Sequence, residues 1–220
     1  MLHSEELLAS KIMMLSGIGM GWYAGLKKNI WKYGLVGILI VSGCLNIYQY
    51  LMLQSSMQSN LQKIHKGSVE VAMMFALNLG RAMFFLNVQK PERVDTCIYA
   101  YVYCAQGALE SVGALRELNP QHEGLLKTIE DVVRVLAIAI DKPPTVPQIL
   151  YKVSSNVSLC MDAMAELRQM AAQKIGEMGH EVSEAFTSST VDTSRLNNAI
   201  NLANELRNIL NQWIDKYSQG

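Results

Sequence analysis

Glu177 and His180 come nearest to a metal-binding motif in this sequence. A carboxylate and an imidazole three positions apart lie on one face of a helix, and helical bundles that bind two metal ions use two such pairs with two further carboxylates. The sequence contains one pair, and Gly176 and Gly179 beside it predict a fraying helix end. We therefore interpret Glu177 and His180 as a surface pair and expect no metal site.

The rest of the sequence does not predict catalysis or cofactor binding. His3, His65 and His122 have no neighbour at catalytic or ligand spacing, and the sequence lacks a phosphate-binding loop, a dinucleotide fingerprint and a Gly-x-Ser-x-Gly motif. Because a catalytic site usually needs clustered titratable groups, we predict no enzyme and no cofactor. The 19 basic and 19 acidic residues give no net charge, so a nucleic-acid partner is not expected.

The element that fixes where the protein works is an apolar stretch near the amino terminus. The thirty residues from Tyr33 to Gln62 contain no Asp, Glu, Lys or Arg. Ten of the twenty residues at 34–53 are Leu, Ile or Val, which contributes roughly −3 to −6 kcal/mol towards membrane insertion. We predict a transmembrane helix at 33–53, with aromatic interface anchors at both ends: Trp31, Tyr33, Tyr48 and Tyr50.

Three polar residues lie on this predicted membrane helix at spacings of four and three, namely Ser42, Asn46 and Gln49. They form one stripe that can hydrogen-bond a second helix, typically for about 0.6 kcal/mol each in a bilayer. This predicts a homo-oligomer or a membrane-protein partner. The alternative is that Asn46 and Gln49 lie near the outer interface and reach lipid headgroups.

Cys44 offers a second way of anchoring the chain. Residues 41–44, Val-Ser-Gly-Cys, resemble the lipobox of bacterial lipoproteins, in which the cysteine is lipidated and becomes the first residue of the mature chain. The residues from Leu45 to Leu53 stay apolar, however, where lipoproteins usually continue with polar residues. We therefore favour an uncleaved helix and keep lipidation at Cys44 as the alternative.

Lysines close to the span predict its orientation. Lys27, Lys28 and Lys32 precede it, whereas the first basic residue beyond it is Lys63. Because cytoplasmic flanks retain positive charge, we expect residues 1–32 to be a short cytoplasmic segment and residues 54–220 to be extracytoplasmic. An alternative translation start near Leu26 would also give a lysine-rich start directly before the apolar run.

The sequence after the span predicts an all-α, up-and-down antiparallel bundle of four or five helices, because apolar residues recur at spacings of three and four. Breaks are predicted at Pro91, at Asn119 with Pro120 as the cap of a third helix of about twenty residues, and at Pro143 with Pro144. Thr145 and Gln148 form a capping-box pattern, and residues 181–193 are predicted to be the longest connection.

The predicted core positions are Met57, Leu61, Ile64, Val71, Phe75, Ala82 and Phe85; Val94, Ile98, Tyr101, Ala105, Ala108, Val112 and Leu115; Leu126, Ile129, Val133, Leu136 and Ile140; Val146, Leu150, Val153, Val157, Met161, Met164, Leu167 and Ala171; and Leu196, Ala199, Ala203, Leu206, Leu210, Trp213 and Tyr217.

The side chains outside these patterns give weak functional hints. Three cysteines beyond the span are interpreted as small buried thiols, although Cys97 or Cys104 could pair with Cys160. Most of the thirteen methionines are assigned to the core. Tyrosines at 99, 101 and 103 fan around more than one helix face, so at least one ring is expected outside the core, which is a hint of a contact surface.

The leading functional hypothesis is a non-enzymatic, membrane-anchored bundle on the outer side of the cytoplasmic membrane. It would act by contact with another envelope protein or by scaffolding. The alternative is a sensor or small-ligand binder that signals through a membrane partner, with its cavity between the second and fourth predicted helices.

Overall fold

The computed structural model describes the backbone of residues 3–138 and 144–219, and the side chains within these ranges from Leu39 onward. This part of the chain is all-α and contains no strand. The chain divides into two compact units, residues 1–60 and 61–220. The six α-helices are α1 (His3–Phe85), α2 (Val94–Leu118), α3 (Glu123–Ala137), α4 (Val146–Val153), α5 (Val157–Ala185) and α6 (Thr193–Ser218).

The first unit is helical backbone throughout its described residues. The backbone is helical also at residues 12–26, which include four glycines. Proline, the residue that most strongly breaks a helix, does not occur before Pro91.

The second unit is the predicted up-and-down bundle. It comprises α1 from Leu61 onward and the five helices that follow, with α2 packed against α3, α5 against α6, and α3 against α6. The predicted apolar stripes of α2 and α6 are buried at every position. The spacing rule therefore identified the core-facing side of both helices.

The core-facing side of α1 differs in part from the prediction. Phe75 and Ala82 are buried and Val71 and Phe85 are partly buried, but Met57, Leu61 and Ile64 are exposed. The core positions that α1 supplies are Ala72, Phe75, Leu79, Ala82 and Met83, and Leu86 is buried directly after the helix ends.

The breaks between helices follow the prolines, with one correction. Pro91 and Pro120 each open a short 3-10 helix, and α3 begins only at Glu123, so the third helix has 15 residues rather than about twenty. Asn119 does not cap this helix. Its Nδ2 donates to Leu115 O and to Ser68 Oγ, both at 2.9 Å, and it thus closes the end of α2 against α1.

The predicted fourth helix is two helices. The Thr145–Gln148 capping box opens α4, with the Thr145 N–H donating to Gln148 Oε1 at 3.0 Å. The chain then turns at residues 154–156, because Ser154 donates its hydroxyl to a backbone carbonyl and Asn156 accepts the Leu159 N–H as the cap of α5. Such side chains compete with the backbone hydrogen bonds of a continuous helix.

The connection predicted at residues 181–193 is shorter than expected. Helix α5 continues to Ala185, because Val182 and Ala185 still face the core. Asp192 then caps α6 by accepting the N–H groups of Ser194 and Arg195. Ile140, predicted at the end of the third helix, lies outside the described residues.

Helices α1 and α5 approach each other closely at Gly179. A Cβ atom on Gly179 would lie 3.2 Å from Ala76 Cα, which is tighter than ordinary van der Waals contact. At Gly176, one turn earlier, a Cβ atom would meet no described side chain or neighbouring backbone within 4 Å. The close approach therefore requires glycine at 179 but not at 176.

The end of α6 is tied to α5 by polar contacts. Trp213 Nε1 donates to Ala163 O at 2.9 Å. Glu166 Oε2 accepts from Lys216 Nζ at 2.5 Å and from the Tyr217 hydroxyl at 2.7 Å. Both hydrogen bonds lower the pKa of the Glu166 carboxyl, and the bond from Lys216 has the larger effect.

Candidate functional site

The apolar stretch that the sequence assigned to the membrane is uncovered in the structure. The large apolar side chains between Leu39 and Leu53 are 55% to 66% exposed. Among the described residues, Leu39–Phe85 is the segment long and apolar enough to cross a membrane. From Ser68 onward one face of this segment joins the bundle core, whereas every large apolar side chain from Leu39 to Ile64 is exposed. Soluble surfaces rarely expose so much contiguous apolar area.

The predicted residues of this segment keep their helical spacing. Ser42, Asn46 and Gln49 are exposed on the helix, and at about 100° per residue their positions fall within one narrow face. Cys44 is exposed and free. Their roles as a contact stripe and a lipidation site stay predictions.

Two of the four predicted interface anchors have side chains that the structure describes. Tyr48 and Tyr50 are 60% and 66% exposed. Trp31 and Tyr33 lie on helical backbone, but their side chains are outside the described ones. The anchoring role of all four stays a prediction.

Glu177 and His180 lie well inside α5, so the expected fraying end is wrong at this position. Glu177 accepts a hydrogen bond from Gln173 at 2.8 Å and lies 3.9 Å from Lys174 Nζ. Lys174 in turn pairs with Glu205 at 2.7 Å. Within the described residues there is no group of three or more His, Cys, Asp or Glu side chains placed to hold a metal ion.

The cysteines of the bundle are free in the structure. Cys104 and Cys160 are buried and Cys97 is half-buried. Burial, with Asp95 as a smaller cause, raises the pKa of Cys160 to about 11, and burial also raises the pKa of Cys104. Because the thiolate is the reactive form, these two buried thiols are poor nucleophiles near neutral pH.

Glu130 is a buried carboxylate that the sequence patterns missed. Its two oxygens lie 2.9 Å from Arg116 of α2 and 2.6 Å from Arg134 of α3. Both arginines are paired with it, so the cluster joins α2 to α3 and has a structural role.

A groove of about 510 Å³ lies between α1 and α2 in the bundle. The ligand-binding alternative placed its cavity between other helices. Arg81 is the only charged residue between Val71 and Phe85. A single charge in this otherwise uncharged run is the one sequence feature that points to the groove. The groove is lined by Val71, Met74, Asn78, Arg81, Tyr103, Gln106, Gly107, Glu110, Ser111 and Ala114.

The tyrosines of α2 are divided between the core and the exposed surface, as predicted. Tyr101 is buried and its hydroxyl donates to Leu136 O at 2.9 Å. Tyr99 and Tyr103 are 70% and 69% exposed, and Tyr103 lines the groove. The methionines divide likewise: Met83 and Met164 fill the core as predicted, whereas the outward side of α1 exposes Met73 and Met74.

Comparisons with protein families, with curated proteins and with solved structures gave no match to this chain.

Proposed function

We propose that this chain is a single-pass, membrane-anchored helical bundle that acts through protein contact rather than catalysis. The segment 33–53 spans the membrane, residues 1–32 remain in the cytoplasm, and the bundle stands outside the cytoplasmic membrane. There it docks or scaffolds another protein molecule.

The observation that carries the proposal is the contrast along α1. From Leu39 to Leu53 all of its large apolar side chains are exposed, whereas within the bundle one face of α1 is buried, including Phe75, Leu79 and Met83. Exposing the first set to water is unfavourable by about 25 cal/mol for each Å² of apolar surface. A bilayer removes that cost, and the length of the segment suits it.

A contact role is supported by side chains of the bundle surface. Phe84, Tyr99 and Tyr103 are each about 70% exposed, and aromatic side chains are enriched in protein interfaces. The thiols of Cys104 and Cys160 are buried in the core and Glu130 is paired with two arginines, so we assign none of these groups a catalytic role.

The topology is tested by cysteine labelling in intact cells with a membrane-impermeant maleimide. Tyr99→Cys should be labelled more strongly than wild type without lysis, because position 99 is exposed on the bundle. Ser10→Cys is the matched control and should react only after lysis. Labelling of Ser10→Cys in intact cells, with Tyr99→Cys protected, would reverse the proposed orientation.

A further inference from the structure

We propose that the groove between α1 and α2 binds a free amino acid with an apolar side chain, whose carboxylate pairs with Arg81 and whose ammonium group pairs with Glu110. This site goes beyond the proposed function and does not depend on it. The volume of the groove, about 510 Å³, lies in the range of small-molecule sites, and both polar and apolar side chains line it.

The register of α1 and α2 fixes where the groove residues lie. A Cβ atom on Gly107 would be 2.9 Å from Asn78 Nδ2, so these two residues are side by side. Gly67 and Leu118 are likewise adjacent, with 3.8 Å between the Gly67 Cβ position and Leu118 Cδ1. Eleven residues separate the two pairs on each helix and run in opposite directions, so α1 and α2 are antiparallel and their register is constant along the groove.

The groove is lined by one cation and one anion, which lie on opposite sides of the level of Asn78 and Gly107, here called the central level. Arg81 follows Asn78 by three residues and Glu110 follows Gly107 by three. On antiparallel helices they are therefore about 9 Å apart along the helix axes. Because the Cα–Cβ bonds of a helix tilt towards its N-terminus, both side chains leave their helices tilted towards the central level.

These two charges do not neutralise each other within the chain. Arg81 and Glu110 are exposed, and neither has an ion-pair partner within 4.0 Å among the described residues. Elsewhere in the bundle opposite charges on neighbouring helices do pair, as Lys174 of α5 does with Glu205 of α6 at 2.7 Å. A small molecule that carries both charges would pair with the two groups that the α1–α2 groove leaves unpaired.

Asn78 places a neutral amide between the two charges. It is half-buried, and its amide lies against α2 because residue 107 has no side chain. The amide makes no hydrogen bond with a described residue. Since an amide both donates and accepts, it can bind a carboxylate or an ammonium group held between Arg81 and Glu110.

The apolar lining of the groove lies at the Glu110 end. By their positions in the two helices, Val71, Met74 and Ala114 are about 6 to 11 Å from the central level, on the same side as Glu110. The side chain of an amino acid that is oriented by its two charges can extend over them. No second charge lines this end of the groove, so an apolar side chain fits there, whereas a charged one would be left unpaired.

The test is isothermal titration calorimetry on the full chain in an uncharged detergent, with leucine, methionine and phenylalanine as probes. At least one of these amino acids should bind to the wild type with saturation. Its analogue without the ammonium group and its analogue without the carboxylate, which for leucine are 4-methylpentanoate and 3-methylbutylamine, should each bind at least about tenfold more weakly, because each loses one charge-assisted contact. This comparison uses the wild type alone and does not depend on the folding of a variant.

Substitutions then locate the site. Arg81→Gln and Glu110→Gln should each weaken binding at least about tenfold, with an unchanged circular dichroism spectrum because both positions are exposed. Arg168→Gln on α5 and Glu117→Gln on α2 remove exposed charges outside the groove and, as matched controls, should bind as the wild type does. The proposal is overturned if none of the three amino acids binds, if the singly charged analogues bind as tightly as their parent, or if Arg81→Gln and Glu110→Gln bind no more weakly than the controls.

Discussion

Two glycines on one helix should respond in opposite ways to the same substitution. Gly176 and Gly179 both lie inside α5, where alanine is favoured over glycine by about 1 kcal/mol. At Gly176 the added methyl group meets no described neighbour, so Gly176→Ala should raise the free energy of unfolding by about that amount.

At Gly179 the same gain is opposed by packing. The added Cβ would lie 3.2 Å from Ala76 Cα and 3.4 Å from Ala76 Cβ, so the backbones of α1 and α5 must separate by a few tenths of an ångström. Overpacking of this kind typically costs about 1–3 kcal/mol. Gly179→Ala should therefore be less stable than Gly176→Ala by about 1–3 kcal/mol, and Gly179→Val should be less stable still.

The comparison is made by thermal and denaturant unfolding of the full chain in detergent, followed by circular dichroism. For a domain of this size, 1 kcal/mol corresponds to about 2–4 °C in Tm. Equal stability of Gly176→Ala and Gly179→Ala would refute the close approach of α1 and α5, because helix propensity affects both sites alike.

Three further changes test the contacts that hold the bundle. Trp213→Phe removes the hydrogen bond to Ala163 O and should lower the free energy of unfolding by about 1–3 kcal/mol; an unchanged value would contradict a buried bond. Asn156→Ala removes the cap of α5 and should cost about 1 kcal/mol in denaturant unfolding, whereas Asn156→Asp, which keeps an acceptor, should not. Because the pKa of Glu166 is lowered in the folded state, its stabilisation is present above its ordinary pKa of 4.5 and is lost as the pH falls through the folded value; Glu166→Gln should reduce this acid dependence, and identical pH profiles for both proteins would contradict it.

The sequence predicted helices best where one apolar stripe runs between strong breaks. In α2 the stripe is bounded by Pro91 and Pro120, and every predicted position is buried. The prediction from apolar spacing failed between α4 and α5, where that spacing continues across Ser154 and Asn156. The local hydrogen bonds of these polar side chains decide that break, and periodicity does not record them.

The groove could not be predicted for a different reason. Its residues come from two helices, and their meeting depends on the register in which Asn78 lies beside Gly107. A single sequence gives the faces of each helix but not that register. At least one exposed ring among the tyrosines at 99, 101 and 103 was nevertheless expected. The buried Glu130 was missed because its arginine partners lie on two helices.

The central claim is that the exposed apolar stretch lies in lipid, and membrane extraction with alkaline carbonate tests it most directly. The full chain should stay in the membrane pellet. Ile40→Lys combined with Leu45→Lys should release it, because two lysines cost about 5–7 kcal/mol near the centre of a span worth about 3–6 kcal/mol. The matched control, Met73→Lys with Leu77→Lys on the exposed surface of the bundle, should remain in the pellet. Recovery of the wild-type chain in the soluble extract would contradict the account.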